Sequence, residues 1–364
     1  MAERKIIFLD ISVYDRAIGS IEQEKSTTRH SIGYLDHLGA GIEVFALRFG
    51  AKKEAAGTWR LFTYGVFGVL SAYRFLKKIR PDVVMFHSFR FPIRFILLKV
   101  LLPNAKFIVQ HHAGDPSPNP VKRVIQSFCY SKADMFNFVT RDQVDAFRKA
   151  GIISTESQIL ETMIGSTGFR LLGKAQSRKM HGIGNDDFVI VWVGHLNANK
   201  DPLCLLRAVA RLKADGVNFT LIMFFGQEIL LEPVRALVEQ QGLQERVVLK
   251  GKIENPKLES WLNAADCFVS CSHYEGSGIA LAEALACGCV PVVTQIPSFS
   301  RMTPRTDLQF GIGDDEEMYM KIRMASELDL TSERDISRKF FDERLSFKAI
   351  GQTVGAWSRA GNPH

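Results

Sequence analysis

Short β-branched and aromatic runs alternate with longer helical stretches along this chain, and that alternation limits its fold more than any other feature. Parallel strands need crossovers of a dozen residues or more, and helices of that length cover both faces of the sheet they cross. The pattern predicts strands over residues 5–9, 42–47, 82–86, 106–110 and 135–139, with helices over 25–38, 58–79, 92–101 and 121–130. It restarts with strands over 188–193, 219–224, 247–249, 267–270 and 290–294, separated by helices over 202–214, 229–241, 256–264 and 279–286. The polar stretch 171–185, with Gly173, Gly182 and Gly184, reads as lying just past a hinge between two doubly wound domains. A chain of 364 residues exceeds one ordinary core and suits two. From Asp314 onward the pattern is helical and charged.

The net charge of +7 is unevenly placed: residues 1–165 hold 23 Lys and Arg against 15 Asp and Glu, whereas residues 166–364 hold 23 against 24. Such a field in the first half favours anionic partners, against the plainer alternative of a solvated basic surface. The apolar run from Ile6 stops at Asp10, and the run 95–102 is interrupted by Lys99, so neither a signal peptide nor a membrane span is expected. Six cysteines without framework spacing suggest a reducing, cytoplasmic interior. Cys267, Cys271, Cys287 and Cys289 read as core filler rather than zinc ligands, because no histidine pair completes a set. The aromatic and basic stretches from Trp59 to Arg80 and from Phe89 to Phe95 fit two readings. One is a helix lying on an anionic membrane; the other is a core-facing helix with its charged ends in water.

In open parallel sheets, ligands bind beyond the C-terminal ends of the strands, so the loops that follow strands are where chemistry is sought. After the strand 267–270 comes Glu275-Gly276-Ser277-Gly278-Ile279-Ala280-Leu281-Ala282-Glu283. Glycines on either side of Ser277 let the backbone approach a ligand closely and present its N–H groups. The helix start beside them favours an anion. Two carboxylates flanking an anion-binding turn are poor partners for the phosphate itself and good acceptors for hydroxyls on either side of it. A nucleotide sugar has that order: sugar hydroxyls, diphosphate, ribose hydroxyls. The plainer alternative, a capped helix with acids in its first turn, leaves the downstream Gly288 and Pro291 unexplained.

With Ala284, Ala286, Gly288, Val290 and Pro291 in register, this stretch resembles the Glu-x7-Glu signature of the retaining GT-B glycosyltransferases of family 4, the glycosyl transferases group 1. The resemblance implies that Glu275 contacts the donor sugar and Glu283 the ribose. It implies that the backbone of Gly276, Ser277, Gly278, Ile279, Ala280 and Leu281 binds sugar and diphosphate. Ser277 stands where the family usually has a bulky aromatic. The segment from Val191 to Pro202 resembles the family's Gly-Arg-Leu…Lys element, whose cations neutralise the diphosphate. Gly194 and Lys200 match it, and His195 stands where Arg is usual. For Lys200 the plainer alternative is a surface lysine before a helix. The segment from Phe107 to Asp115 resembles the family's strand–His turn, in which a histidine reaches the transferred sugar, and His112 is favoured over His111. His87, at the end of the strand 82–86, and Gly165 and Ser166, where the family crosses between domains, are further candidates. A glycine-rich loop often follows the family's first strand; here Asp10 to Ser20 contains one glycine, Gly19.

The expectation is therefore an α/β chain of two doubly wound, Rossmann-like domains facing each other across a cleft, of GT-B type, with C-terminal helices packing back. Residues 1–165 would form the acceptor-side domain, 166–345 the nucleotide-sugar donor domain, and 346–364 a helix returning to the first. The resemblance implies a retaining glycosyltransferase that moves a sugar from a nucleotide-diphosphate sugar to a hydroxyl of a glycan or lipid-linked acceptor, in cell-surface polysaccharide synthesis. Glu275, His112 and Lys200 would carry the catalysis. No cofactor, metal or nucleic-acid partner is expected, and no Asp-x-Asp element of the metal-dependent type is present. The protein would be cytoplasmic, with an anionic membrane surface as a further partner of its basic first half at the inner face. Three alternatives stand beside this reading. A nucleotide-sugar epimerase of the same fold needs a carboxylate pair in the first half. A nicotinamide-dependent oxidoreductase needs Gly-x-Gly-x-x-Gly, absent from 10–20 and 194–199. A non-catalytic basic module for membrane or nucleic acid leaves the Glu275 and Glu283 arrangement without a purpose.

Overall fold

The computed structural model describes residues 4–12, 18–50, 53–63, 68–112, 114–184 and 187–360. The chain forms two compact units, Met1–Ser166 with Phe347–His364, and Thr167–Ser346. Each is a doubly wound α/β sheet of Rossmann type.

In the first unit the strands are β1 (Ile6–Ser12), β2 (Ile42–Gly50), β3 (Glu54–Ala56), β4 (Trp59–Thr63), β5 (Val83–His87), β6 (Lys106–Gln110), β7 (Met135–Phe138) and β8 (Ile159–Glu161). They lie in the order β3-β4-β2-β1-β5-β6-β7-β8, parallel except for the edge pair β3–β4. β5 is buried along its whole length, as expected for a strand covered on both faces. Its core joins Leu9, Phe86 and Val109 of the sheet to Phe95, Leu98 and Tyr130 of the helices.

The second unit holds β9 (Phe188–Gly194), β10 (Phe219–Phe225), β11 (Val247–Gly251), β12 (Cys267–Ser270), β13 (Val290–Thr294) and β14 (Gln309–Phe310). Their order is β11-β10-β9-β12-β13-β14, and every pair is parallel. In each sheet the winding reverses at one strand: β1 lies between β2 and β5, and β9 between β10 and β12. Such reversals leave the two following loops splayed apart at the strands' C-terminal ends, which opens a crevice for ligands.

The structure corrects the sequence expectation in several places. Within the predicted helix 58–79, Trp59–Thr63 is β4, pairing Ala46 with Trp59 and Phe49 with Phe62. Gly57, at φ +57°, turns the β3–β4 hairpin before it. Trp, Phe and Thr favour a pleated surface, and the free edge of β2 supplied one. Helix resumes as Gly68–Ser71 and Tyr73–Ile79, and residues 64–67 of the prediction lie outside the described residues. The predicted helix 25–38 begins earlier, at Ile21, capped by the Ser20 hydroxyl accepting from Gln23 N, and breaks into Arg29–Ile32 and the tight turn Gly33–His37. That turn receives the helix Phe347–Ala360: a Cβ on Gly355 would sit 1.9 Å from Leu38 O, and one on Gly33 would enter the Phe347 ring. The stretch read as a polar segment past the hinge contains the helix Lys174–His181, closed by Gly182 at φ +68°. Its polarity is partly internal, because Arg178 is buried and donates to Asp266 Oδ2 at 2.6 Å and to Ala264 O at 3.1 Å. Ile18 of the first-strand loop bridges to Gly50, and its residues 13–17 lie outside the described residues. Among the described residues, no helix is long and apolar enough to cross a membrane.

Candidate functional site

The loops that follow β9 and β12, the two strands at the reversal of the second sheet, are fastened to each other. Asn199 Nδ2 donates to Tyr274 O at 3.1 Å, while Asn199 Oδ1 accepts from Tyr274 N at 3.1 Å. His273 N donates to Asn199 O at 2.8 Å, and the His273 ring lies 3.0 Å from Asp201 Oδ2. Asp201 holds a left-handed φ of +39° and caps the helix Pro202–Ala214 by accepting from Cys204 N. In the middle of this seam, Lys200 Nζ is ion-paired with Glu275 Oε1, and Ser272 donates to the same oxygen at 2.8 Å. Gly194 lets the lysine stem pass, since a Cβ there would lie 3.4 Å from Lys200 Cγ and 2.9 Å from the Trp192 ring. His195 is exposed and stands beside Gly226.

Beyond Glu275, the half-buried Gly276 and Ser277 lead to Gly278, which caps the helix Ile279–Ala286. Gly278 has φ +54°, and its absent Cβ would meet Met302 Sδ and Phe299 Cε1, each at 3.1 Å. Both facts favour glycine here. A helix's first N–H groups have no acceptor in their own helix, so those of Ile279 and Ala280 add partial positive charge beside the turn. Leu281 turns inward to the core. Glu283, one turn along, is buried and accepts from Asn255 Nδ2 at 2.5 Å. A cation, a helix start and two carboxylates thus share one edge of one sheet, which suits a ligand with an anionic centre flanked by hydroxyls.

The first sheet carries a different network at its own reversal. Asp10 of β1 is buried and ion-paired to Arg48 of β2 at 2.6 Å. It meets His87 Nε2 at 2.6 Å and accepts from Tyr34 OH at 3.1 Å, and Arg48 Nε also reaches Glu24 at 3.1 Å. His87 Nδ1 lies 2.6 Å from His112 Nε2. Burial pushes the Asp10 carboxyl up, but His87 and Arg48 outweigh it and hold the group well below the usual carboxylate range. Burial, then the neighbouring His87 and His111, pull His112 down to about 3. His112 is therefore neutral near pH 7, and a proton lies between the two close ring nitrogens.

The adjacent His111, like His112 just past the end of β6, has different partners. Its ring stacks on Phe138 and meets Gly114 O at 2.9 Å, and burial lowers its pKa. Gly165 and Ser166 are buried in the first unit, where Ser166 N donates to His30 O at 2.7 Å. The six cysteines are free and buried. Phe89 and Phe95, in the aromatic stretch read as membrane-facing or core-facing, lie in the core. Asn199, Asp201, His273 and Asn255 escaped the sequence reading. For Asp201 a signal was present, as an Asp-Pro at a helix start; the others bond across loops distant in sequence.

Residues 173–310 match the family model described as glycosyl transferases group 1. The chain resembles the GT-B glycosyltransferases of that group. The group 1 match contains Gly194, His195, Lys200 and the whole segment from Glu275 to Glu283. Among curated relatives, an N-acetylgalactosamine-N,N'-diacetylbacillosaminyl-diphospho-undecaprenol 4-alpha-N-acetylgalactosaminyltransferase of Campylobacter jejuni is 25% identical over 235 residues, 64% of this chain and 60% of that protein. A GDP-mannose:cellobiosyl-diphosphopolyprenol alpha-mannosyltransferase of Xanthomonas oryzae is 24% identical over 230 residues, 61% of this chain and 58% of that protein. The chain thus spans about 60% of the length of these relatives. A solved glycosyltransferase from Rickettsia africae superposes with a TM-score of 0.72 at 16% identity, covering 98% of this chain and 99% of its own. The sucrose-phosphate synthase of Thermosynechococcus elongatus superposes with a TM-score of 0.71 at 16% identity, covering 98% and 99%. At that identity the likeness establishes the fold, that of GT-B proteins with two Rossmann-like units.

Proposed function

We propose that this protein is a retaining, metal-independent glycosyltransferase of family 4. It would transfer a sugar from a nucleotide-diphosphate sugar to a hydroxyl of a glycan or lipid-linked acceptor in cell-surface polysaccharide synthesis. The observation that supports it most is the seam between the β9 and β12 loops, which gathers Lys200, Glu275 and a glycine-capped helix start at the sheet reversal. In this reading the diphosphate sits on the turn from Gly276 to Leu281 and against Lys200. Glu275 accepts hydrogen bonds from the sugar, and Glu283, beside Asn255, from the ribose. His112 takes the role the resemblance gives it, a hydrogen bond to the transferred sugar.

As the anomeric bond breaks, negative charge grows on the departing diphosphate. Lys200, the helix start and His195 oppose that charge, and fixed groups of this kind lower a barrier without reorganising during the step. The acceptor hydroxyl attacks from the face the nucleotide leaves, and its proton passes to the leaving phosphate. The names of two relatives describe acceptors carried on a polyprenol diphosphate, which favours a lipid-linked acceptor and work at the inner face of the membrane. Slow hydrolysis of a panel of UDP-, GDP- and ADP-sugars, followed by proton NMR of the first-formed sugar, tests the reading. Retention of the donor's anomer, unaffected by EDTA, is expected. An inverted first product overturns the retaining assignment, and no binding or turnover of any nucleotide sugar overturns the whole proposal.

A further inference from the structure

We infer that the outward face of two neighbouring helices of the first unit, Pro92–Leu101 and Pro120–Tyr130, docks on an anionic lipid surface. Both helices follow strands in sequence and cross between β5, β6 and β7, so right-handed connections put them side by side on one face of the sheet. Their inward sides fill the core with Phe95, Leu98, Cys129 and Tyr130. Their outward sides are apolar as well. Val121, Val124 and Phe128 leave 66, 69 and 68% of their surface exposed, and Ile125 leaves 40%. The spacing i, i+3, i+4, i+7 places all four on one stripe of the helix. Ile93 and Val100, seven residues apart on the neighbouring helix, are exposed by 58 and 70%. Among the described residues of the first unit, six of the eight exposed large apolar side chains lie on these two helices, so this is a patch rather than scatter.

The charge around the patch selects the partner. Between residues 83 and 133 the chain has seven Lys and Arg and a single acid, Asp115, and neither helix contains any acid. Lys122 and Lys132 are exposed beside the stripe, and Arg123 is half-buried next to it. Lys99 is paired with Asp134 at 2.8 Å, so the exposed lysines beside the stripe carry the argument. Apolar side chains flanked by ammonium groups match the boundary of an anionic bilayer, where the chains enter the acyl region and the cations meet headgroups. A short interfacial surface of this kind binds reversibly. The inference rests on the proposed lipid-linked acceptor for its purpose, although the surface itself owes nothing to the donor loops.

The test uses the full chain and vesicles of phosphatidylcholine with or without one third phosphatidylglycerol, in a sedimentation assay without nucleotide sugar. Binding to the anionic vesicles is expected, weaker at high salt and at least tenfold weaker on neutral vesicles. The pair Val124→Glu/Phe128→Glu should lower anionic-vesicle partitioning at least tenfold, and Lys122→Ala/Lys132→Ala several-fold. Both variants should bind the nucleotide sugar as the parent does, which shows that they fold and keeps a failure here separate from a failure of the donor reading. Absence of binding to anionic vesicles, or a glutamate variant that binds them unchanged, overturns the inference. So does a concentration-dependent dimer abolished by the same two glutamates, which would assign the face to a second copy of the chain.

Discussion

Glu275→Ala should act in opposite directions on two ligands that differ only by the sugar. Lys200 is ion-paired with Glu275, and their side chains are 20 and 16% exposed, so the lysine begins committed to a carboxylate. For the roughly 3 Å of an ordinary ion pair and an effective dielectric of ~20, the Coulomb attraction is about 5.5 kcal/mol, most of which desolvation and side-chain ordering cancel. Exposed pairs retain roughly 0.2–1 kcal/mol, and breaking buried ones costs roughly 3–5 kcal/mol. For a mostly buried pair that Ser272 also steadies, about 1–2 kcal/mol is reasonable. Releasing Lys200 by Glu275→Ala should therefore tighten a bare nucleoside diphosphate by about 5–30-fold. The same change removes a charged hydrogen bond to the sugar, worth roughly 1.5–3 kcal/mol. The preference for nucleotide sugar over nucleoside diphosphate should then fall by about 10–150-fold. Lys200→Ala should weaken both ligands. Titration calorimetry on the parent, the two single variants and the double variant reads all three effects. If Glu275→Ala weakens the nucleoside diphosphate as much as the nucleotide sugar, the carboxylate does not serve the sugar end and the reasoning fails.

Two further outcomes follow from the geometry. Gly278→Ala forces a left-handed φ of +54° on an L residue and pushes its Cβ to 3.1 Å from Met302 and Phe299; a stability loss on the order of 1–3 kcal/mol is expected by thermal unfolding, and an unchanged melting temperature would contradict the strain. The second concerns pH. His112 is pulled from 6.5 to about 3 on folding, so the unfolded chain binds the proton more readily, and stability is lost as pH falls from about 6.5 toward 3. His30, His111 and His181 are lowered in the same direction and add to the loss as pH falls below about 6.5. His112→Gln should therefore flatten the acid limb of the stability curve without abolishing it, and an unaltered slope in urea titrations from pH 7 to 4 would show that His112 is not held neutral.

The parts of this structure that were legible in sequence are those decided locally. The strand Cys267–Ser270, the glycine turn and the helix Ile279–Ala286 are announced by contiguous residues, and the structure has the same element bounds. Trp59–Thr63 was misread because its residues fit a helical and a pleated period alike, and only the open edge of β2, ten or more residues away, decides between them. Lys174–His181 looked like part of a polar connecting stretch because a buried arginine cannot be told from a solvated one until Asp266, 88 residues on, is placed beside it. The same limit hid the seam. Asn199 and Tyr274 are 75 residues apart and meet because the sheet reverses between β9 and β12. Asp10, His87 and His112 come from three different stretches of the first unit, and the hint was an acid ending an apolar run. The exposed stripe from Val121 to Phe128 was invisible for a different reason: an apolar face reads as core until a structure shows it exposed among the described residues.

The measurement closest to the central claim is the thermal shift of the parent and Glu283→Gln against a panel of UDP-, GDP- and ADP-sugars and their parent nucleoside diphosphates. Binding to the folded state raises the melting temperature by mass action. One base should stabilise the parent, and Glu283→Gln should lose much of that shift for nucleotide sugar and nucleoside diphosphate alike, because both carry the ribose. If no member of the panel stabilises the parent, or if Glu283→Gln responds as the parent does, the loops after β9 and β12 are not a nucleotide-sugar site.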